Sequence, residues 1–466
     1  MANPNFAIVI LAAGKATRFK SEHSKLLHVL AGRPLGEYVV RSAFAAGPSS
    51  VFMVIGHEAE TVRKTLARPG LRFVEQKQQL GTGHALMTLR PHLESSSAST
   101  VTVVVGDAPL LRAETLQALV AAHQKARAAA SVLTMQLADP HGYGRIVRSK
   151  GSRVRAIVEE KLCTPAQRKI HEVNSGILCF SRLDLLKHLG ELSDKNAQKE
   201  FLLTDLVAIF NRRRKKVVAF PVADSREALG VNNRVELAQV ENILRLRKAE
   251  TLMIEGVTLL NPVATYIDDE VQVGNDTVIE PGVSLLGKTR VGRACTIRSY
   301  STVADSVLED RVVVRPYSVI TGCEIASDVV IGPFAHLRDG SVVEQDARVG
   351  NFVEVKKSRV GRGTKAWHLT YLGDATLGQQ VNVGAGTVTC NYDGKQKNPT
   401  CIDDGVFIGS GSMLVAPVKI GKGAYVAAGS TITEDVPPES LAIGRAHQVN
   451  KEDWVKKHKK KPPSDE

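Results

Sequence analysis

The 466-residue sequence has no long apolar run, few cysteines and few aromatic residues. No apolar stretch approaches the ~20 residues that span a bilayer, and the start MANPNFAIVILAAG lacks the basic segment and cleavage site of a signal peptide. The cysteines form no CxxC pair, which argues against a zinc site or a disulfide framework. We therefore expect a cytoplasmic protein that does not insert into a membrane.

The sequence has an excess of 13 positive charges at pH 7, which nucleic acid, an acidic membrane surface or small anionic substrates could each explain. Much of the excess lies at residues 212–216 and in a basic C-terminal tail over residues 451–466. The chain has only two tryptophans, and neither basic cluster interleaves aromatic with basic residues as single-strand binders do. We expect small anionic substrates and no nucleic acid.

Residues 1–231 alternate apolar, β-branched runs with amphipathic helical stretches. This pattern is typical of βαβ units around a mainly parallel, Rossmann-like sheet. The predicted strands are 6–11, 50–55, 71–74, 100–105, 131–136, 176–180 and 216–221. Apolar residues at helical spacing then predict one connecting helix over 232–255.

From residue 256 to about 450 an aliphatic residue recurs every six positions, often followed by glycine. Three such runs occur, at Val273, Ile279, Leu285, Val291, Ile297 and Val303, at Ile325, Ile331, Leu337, Val343, Val349 and Val355, and at Ile402, Ile408, Leu414, Ile420, Val426 and Ile432. A six-residue period is the signature of a parallel β-helix. An ordinary β-sandwich would instead show hairpin turns and two-residue alternation.

The repeat is interrupted by the polar, turn-rich residues 389–400, here named the excursion loop. Loops that leave a repeat scaffold commonly build its binding face, although a simple length variation would give the same pattern.

The first predicted strand runs into Leu11-Ala12-Ala13-Gly14-Lys15-Ala16-Thr17-Arg18, with Lys25 a little further on. A strand followed by a turn of small and basic residues presents N–H groups and cations to a phosphate chain. Asp107 ends another apolar run, and ligands bind at the carboxyl ends of strands in open α/β sheets. A strand-end turn with solvated lysines would be an equally good explanation of the first segment alone.

The LAAGxxxR segment with its lysine resembles the signature of the sugar-nucleotide pyrophosphorylases. Further segments, in matching order and spacing, resemble the family of bifunctional N-acetylglucosamine-1-phosphate uridyltransferase/glucosamine-1-phosphate acetyltransferases. They are 76–85 (QKQQLGTGHA), 106–110 (GDAPL), 142–146 (GYGRI), 173–176 (VNSG), 230–234 (GVNNR), 350–357 (GNFVEVKK), 365–374 (KAWHLTYLGD) and 382–387 (NVGAGT). The resemblance implies a nucleotidyltransferase domain followed by a left-handed parallel β-helix that trimerises.

For the N-terminal domain the resemblance implies a nucleotide site that includes Leu11, Ala12, Ala13 and Gly14. Gln76, Gly81 and Thr82 would hold uracil, Gly144, Glu159 and Asn174 would hold the sugar, and Asp107 and Asn232 would bind Mg²⁺. Arg18 and Lys25 are the candidates for phosphate contact. In this reaction a sugar-1-phosphate oxygen attacks the α-phosphorus of UTP, so metal and cations must meet the accumulating charge.

For the β-helix the resemblance implies acetyl transfer from acetyl-CoA, with His368 as general base. An imidazole titrates near the working pH and suits that role. Four residues would bind the sugar phosphate, with Glu354 as a supporting acid: Arg338, Lys356, Tyr371 and Asn382. Six would bind acetyl-CoA or shape its pocket: Asn391, Tyr392, Lys397, Ser410, Ala428 and Arg445.

Three positions depart from the family pattern. Ala16 stands where glycine is usual; its methyl is tolerated if φ is negative there, and the alternative is that it weakens UTP binding. Trp367 precedes the proposed base, where it would pack on a neighbour or tighten the acceptor pocket. Asn398-Pro399 interrupts a stretch that is usually more basic.

The leading hypothesis is a bifunctional enzyme that makes UDP-N-acetylglucosamine for peptidoglycan precursors, in cells whose shape depends on that wall. A second hypothesis keeps only nucleotidyl transfer and uses the β-helix for oligomerisation. A third is a non-catalytic assembly protein that inherited both folds.

Overall fold

The structure is a computed structural model that describes residues 5–149, 153–196 and 199–459. The chain divides into two compact units between Arg245 and Leu246. This boundary falls inside helix α8, Arg234–Ile254, where the sequence predicts a helix over 232–255. Where the functional domains begin and end stays a prediction.

The first unit is built on a twisted sheet whose strands alternate with helices. Its strands, with a small hairpin at β2 and β3, are β1 Phe6–Ala12, β2 Val29–Leu30, β3 Arg33–Pro34, β4 Ser50–Ile55, β5 Leu71–Glu75, β6 Thr100–Val105, β7 Ala130–Gln136, β8 Arg145–Arg148, β9 Val154–Val158, β10 Glu172–Ser181 and β11 Val217–Pro221. The order in the main sheet is β11-β7-β10-β6-β1-β4-β5; off this path β8 pairs with β10, and β9 pairs with β8.

Helices cover both faces of this sheet. They are α1 Leu35–Ala45, α2 Ala59–Leu66, α3 Thr82–Glu94, α4 Ala113–Ala126, α5 Pro165–Arg168, α6 Arg182–His188 and α7 Asp205–Arg212. Successive side chains of a strand point to opposite faces. Phe6, Ile8 and Ile10 accordingly join one apolar cluster, while Ala7 and Val9 join another.

All seven predicted strands are present in this sheet. The sequence prediction missed the β8–β9 hairpin and the antiparallel direction of β10, which pairs with β6 and β7. Strand β10 begins at Glu172, before the predicted start at residue 176. Its pairing with β7 shifts register between Asn174 and Leu178. The doubly covered, mainly parallel α/β fold is confirmed.

The second unit is a parallel β-helix with three long sheets of short strands. The first sheet contains Thr258–Leu259, Val278–Ile279, Thr296–Ile297, Val313–Val314, Val330–Ile331, Arg348–Asn351, Lys365–His368, Asn382–Val383, Phe407–Ile408, Tyr425–Val426 and Leu441–Ala442. The second contains Tyr266–Ile267, Ser284–Leu286, Thr302–Ala304, Val319–Thr321, His336–Arg338, Glu354–Lys356, Tyr371–Gly373, Val388–Cys390, Met413–Val415 and Thr431–Ile432. The third contains Gln272–Val273, Arg290–Val291, Val307–Leu308, Glu324–Ile325, Val342–Val343, Arg359–Val360, Ala375–Leu377, Thr400–Ile402 and Val418–Ile420.

The repeating aliphatic residues stack on one another inside the coil. Ile279 pairs with Ile297, which pairs with Val314, and Val314 pairs with Ile331. The aliphatic positions singled out in the three six-residue runs are buried, apart from Val273, which is half-buried and packs on the same core. The predicted β-helix is confirmed, and its architecture is that of the left-handed hexapeptide-repeat class.

At one corner of this coil the type of side chain changes along the coil axis. At the lower coils it carries a column of exposed aromatic side chains, which stack with ring centroids 5.1–5.3 Å apart. The aromatic column is Tyr300, Tyr317, Phe334 and Phe352. Leu369 continues it, and glycine then takes the corner at Gly386, Gly411 and Gly429, all with φ between 72° and 78°. These three glycines are here called the glycine column.

The remaining helix, α9 Trp454–His458, lies in the basic tail. Short 3₁₀ turns occur at Thr17–Phe19, Lys25–Leu27, Glu160–Leu162, Leu189–Glu191, Ser225–Ala228 and Pro262–Ala264. Among the helices of the described residues, none is both long and apolar enough to cross a membrane.

Candidate active sites

A cavity of about 430 Å³ opens at the carboxyl ends of β1 and β6 in the first unit. These strands are parallel neighbours, with Leu11 opposite Val105. The loops that follow them therefore leave the same edge of the sheet side by side. The cavity is lined by Leu11, Ala12, Ala13, Gly14, Lys15, Lys25, Leu26, Gln76, Gln79, Gly81, Thr82, Ala85, Val105, Gly106, Asp107 and Glu200. The predicted nucleotide loop, uracil residues, lysine and one metal ligand thus share a single cavity.

Lys25 and Asp107 form an ion pair in this cavity, and both side chains are largely shielded from solvent. The Lys25 ammonium also donates to the carbonyl oxygen of Val231 over 3.2 Å. The Val231 N–H in turn donates to the Asp107 carbonyl over 2.9 Å. These contacts attach the segment before α8 to the end of β6.

Asn232, the second predicted metal ligand, lies next to Asp107. A methyl group added to Gly230 would lie 3.8 Å from both Asp107 Oδ1 and Asn232 Nδ2. Glu236 accepts hydrogen bonds from the backbone N–H and the amide nitrogen of Asn232, at 2.7 and 3.2 Å. The Asn232 Oδ1 is thereby left for Arg18, whose guanidinium donates to it over 2.9 Å.

This donor set fits Mg²⁺, which prefers oxygen ligands and usually takes one or two from the protein while substrate phosphates and water supply the rest. In the described residues, no group of three or more His, Cys, Asp and Glu side chains could hold a metal. Asp107 and Asn232 therefore offer a site that needs the phosphates of a ligand to complete it.

The predicted uracil residues form one wall of the cavity. The Gln76 side chain is buried, and its amide nitrogen donates to the Gly81 carbonyl over 3.1 Å and contacts His84 Nδ1 at 2.8 Å. Thr82 begins α3, and its hydroxyl accepts from the Leu203 N–H over 3.0 Å. Hydrogen bonds within the wall hold it in place before any ligand binds.

The predicted sugar residues come together beside the cavity but do not line it. The Asn174 N–H donates to the Gly144 carbonyl over 2.8 Å, and a methyl on Gly144 would lie 3.6 Å from Glu159 Oε1. Burial raises the pKa of the Glu159 carboxyl, and the charge of Asp205 adds to that rise. Asp205, which the sequence did not indicate, therefore lies near the predicted sugar residue Glu159.

Ala16 adopts a left-handed conformation with φ of 48°. Its methyl would be harmless only at a negative φ, so this condition is not met. A left-handed conformation brings Cβ close to the following carbonyl oxygen, which costs ~1 kcal/mol for a residue other than glycine. The phosphate loop of this chain thus carries backbone strain at the family's usual glycine position.

In the second unit, His368 ends a strand of the first sheet, directly beside Asn351 of the preceding coil. The His368 Nδ1 lies 2.7 Å from Asn351 Oδ1. Extending the register of the next coils from Val383, Ile408 and Val426 places Ala385, Ser410 and Ala428 in the same row above His368. The Arg445 guanidinium donates to the Ala428 carbonyl over 2.7 Å.

The predicted sugar-phosphate residues lie around the corner from His368. Arg338 pairs in register with Lys356, and Glu354 pairs with Tyr371. Glu354 accepts two hydrogen bonds from Arg338, at 3.0 and 2.8 Å, so it orients this cation. The pKa of Lys356 is lowered, chiefly by its contact with Lys397. Asn382 lies instead on the strand next to that of His368.

The excursion loop is anchored by Asp374, which the sequence analysis did not single out as a site residue. Its carboxylate accepts from the Asn391 amide over 2.6 Å, and its carbonyl accepts from the Thr400 N–H over 3.2 Å. Asn391 also lies 3.5 Å from the Tyr371 hydroxyl, whereas Tyr392 is exposed. Both ends of the loop are thus held by one residue.

Two departures from the family pattern have structural partners. The Arg315 guanidinium, from three coils earlier, lies 5.8 Å from the centroid of the Trp367 ring, so Trp367 packs against this side chain. The Asn398 N–H donates to the Asn391 carbonyl over 2.7 Å, and its side chain donates to Asp393 over 2.9 Å. Asn398 therefore closes the excursion loop on itself.

The folds and sites described define a nucleotidyltransferase unit joined to a hexapeptide-repeat unit. The model of the MobA-like NTP transferase domain matches residues 8–204, and that of the bacterial transferase hexapeptide (six repeats) matches residues 402–434.

Proteins named "Bifunctional protein GlmU" resemble the chain along almost its whole length. That of Koribacter versatilis is 48% identical over 98% of this chain and 97% of its own. That of Trichlorobacter lovleyi is 50% identical over 97% and 98%, and that of Anaeromyxobacter sp. 51% identical over 97% and 93%. The chain belongs to the GlmU family.

Proposed function

We propose that this chain makes UDP-N-acetylglucosamine in two steps at two separate sites. Acetyl-CoA donates its acetyl group to glucosamine-1-phosphate, and UTP then donates its uridylyl group to N-acetylglucosamine-1-phosphate with release of pyrophosphate. The observation that carries the proposal is that each unit gathers its own set of the side chains expected for one reaction, around Lys25 and Asp107 in one and around His368 in the other.

In the uridylyl transfer, the loop at Leu11–Gly14 and the cations Arg18 and Lys25 would bind the phosphates. Asp107 and Asn232 would hold Mg²⁺, which neutralises the charge that develops on the phosphates during transfer. Gln76, Gly81 and Thr82 would orient uracil, and Gly144, Glu159 and Asn174 would orient the sugar. With both reactants fixed in line, most of the catalytic task is positioning and electrostatic stabilisation.

In the acetyl transfer, His368 would accept a proton from the amine as its nitrogen attacks the thioester carbonyl. The C–N bond forms, the C–S bond breaks, and the imidazolium returns the proton to the departing thiolate of CoA. Arg338 and Lys356 would hold the phosphate of the acceptor, and Tyr371 and Asn382 its sugar. Lys397, which is expected to bind acetyl-CoA, also contacts Lys356 and would add its charge beside the phosphate. Glu354 would keep the Arg338 guanidinium in place.

The glycine column supports acetyl-CoA as the donor. Bulky side chains fill the corner below His368, whereas Gly386, Gly411 and Gly429 leave it open above. This corner, free of side chains and beside Ala385, Ser410 and Ala428, would accept an extended, narrow arm of acetyl-CoA that leads to His368. Asn391, Tyr392 and Arg445 would hold the remainder of acetyl-CoA.

The aromatic column supports assembly of the chain as a homotrimer. Four stacked rings, each about half exposed, form an apolar stripe along the outside of the coil. A stripe of this kind fits a protein partner better than solvent. The expected place of work is the cytoplasm, where the product would serve peptidoglycan synthesis.

The two activities can be tested by supplying glucosamine-1-phosphate, acetyl-CoA, UTP and Mg²⁺ and by following free thiol and pyrophosphate separately. We expect His368→Ala to remove thiol release and to spare pyrophosphate release from preformed N-acetylglucosamine-1-phosphate. Asp107→Ala should do the reverse. Absence of thiol release from the unaltered protein would reduce the β-helix to an oligomerisation scaffold, and absence of both products would refute the proposal.

A further inference from the structure

Asn351 lies directly beneath the proposed base. The two residues end neighbouring parallel strands and are paired in register, so their side chains leave the coil side by side. The distance between Asn351 Oδ1 and His368 Nδ1 is 2.7 Å, a good hydrogen bond for this pair of atoms.

The backbone on either side of this pair is fixed. The Leu369 N–H donates to the Asn351 carbonyl over 3.0 Å. A side chain at Gly350 would collide with the carbonyl of Trp367, which shows how closely the two strands approach. The backbone of Trp367 and His368 is therefore held against that of Gly350 and Asn351.

A carboxamide oxygen can only accept a hydrogen bond. The imidazole must therefore carry its proton on Nδ1 and keep the lone pair of Nε2 free. The opposite tautomer would present an N–H at Nε2 and could not take a proton from the acceptor amine. Which nitrogen carries the proton thus decides whether His368 works as a base.

We propose that Asn351 is the positioning residue of His368, holding the imidazole in the tautomer whose Nε2 accepts the amine proton. This inference rests on the proposed acetyl transfer. When Nε2 takes the proton, the neutral amide continues to accept from Nδ1–H, so the hydrogen bond survives the whole cycle. Asn351 itself neither gains nor loses a proton.

Two substitutions separate this role from a structural one. Asn351→Leu keeps the size of the side chain but removes the acceptor, so kcat for thiol release should fall about 100-fold while KM for glucosamine-1-phosphate changes little. Asn351→Asp keeps the acceptor and adds a negative charge that favours the imidazolium. The acidic limb of kcat/KM should then move up by about one pH unit, with activity retained above it.

The other charged or titratable side chains on the adjoining strands are the same in every variant. They are Lys365 on the strand of His368, Arg348 on that of Asn351, and Glu354, Lys356 and Tyr371 beyond the corner. The neighbouring strand Asn382–Val383 carries none. A shift in the acidic limb of the kcat/KM profile between variants therefore reports on the residue at position 351.

Gln345→Leu is the matched control, because Gln345 lies in the same unit and its side chain donates to Asp328 over 3.3 Å, away from His368. It should leave the pH profile unchanged, and uridylyl transfer should be unaffected in all three variants. An unchanged kcat in Asn351→Leu, or equal losses in both variants with an unmoved acidic limb, would overturn the assignment. If the unaltered protein releases no thiol, the acetyl transfer itself is refuted.

Discussion

The guanidinium of Arg18 donates to Asn232 Oδ1 over 2.9 Å, while Lys25 is paired with Asp107. Each proposed metal ligand is therefore already bound to a cation. In the proposed reaction Asp107 and Asn232 would hold Mg²⁺, which would supply positive charge to the phosphates. Arg18 and Lys25 would then be available to bind the phosphates themselves.

The Mg²⁺ requirement should consequently depend on Asn232. We expect Asn232→Ala to raise the Mg²⁺ concentration for half-maximal pyrophosphate release about 10- to 100-fold, because one of two protein ligands is lost. Asn233→Ser is the control: Asn233 caps α8 by accepting from the Glu236 N–H over 2.9 Å, and serine can replace that cap. An equal Mg²⁺ requirement in both variants would remove Asn232 from the metal site.

Ala16→Gly should improve the nucleotide site. Glycine adopts positive φ without penalty, so the strain at φ of 48° is relieved. We expect a gain of roughly 1 kcal/mol in the ordered loop, seen as a several-fold lower KM for UTP in the pyrophosphate assay. Ala31→Gly relieves a similar φ of 42° outside the cavity lining, and it should leave this KM unchanged. A KM for UTP that rises in Ala16→Gly would contradict the explanation.

The β-helix could be predicted from sequence because its six-residue period has one cause, the stacking of Ile297, Val314 and Ile331 inside the coil. The strands of the first unit could be predicted for a similar reason. The hairpin at Arg145–Arg148 and Val154–Val158 was missed, since the charged residues Arg145, Arg148 and Arg155 interrupt its apolar pattern.

The site residues were predicted mainly through family resemblance, and what that resemblance could not supply is pairwise geometry. Asn351 and Asp374 lie inside segments that match the family, but the sequence does not show that the coil brings them against His368 and Asn391. The conformation of Ala16 was likewise undetermined, because a sequence does not give the sign of φ at a single alanine.

Asp374 should control the order of the excursion loop. In Asp374→Ala the loop loses the 2.6 Å hydrogen bond to Asn391 and a nearby negative charge for Lys397. We expect faster tryptic cleavage at Lys395 or Lys397 and a rise of about 10-fold in KM for glucosamine-1-phosphate, equal to about 1.4 kcal/mol. Asp403→Ala breaks an exposed ion pair with Lys419 and should change neither property. Unaltered cleavage in Asp374→Ala would show that the loop is held elsewhere.

The glycine column offers the sharpest test of the donor site. The corner accepts aromatic side chains at positive φ lower in the coil, where Phe334 and Phe352 stack 5.2 Å apart, so Gly411→Phe should fold. Its ring would fill the corner beside Ser410, and KM for acetyl-CoA should rise by at least about 10-fold while uridylyl transfer is spared. Gly405→Phe introduces the same side chain at a φ of 68° with open space around it, and it should leave KM for acetyl-CoA unchanged. If Gly411→Phe binds acetyl-CoA normally by calorimetry, the arm of the donor runs along another face of the coil.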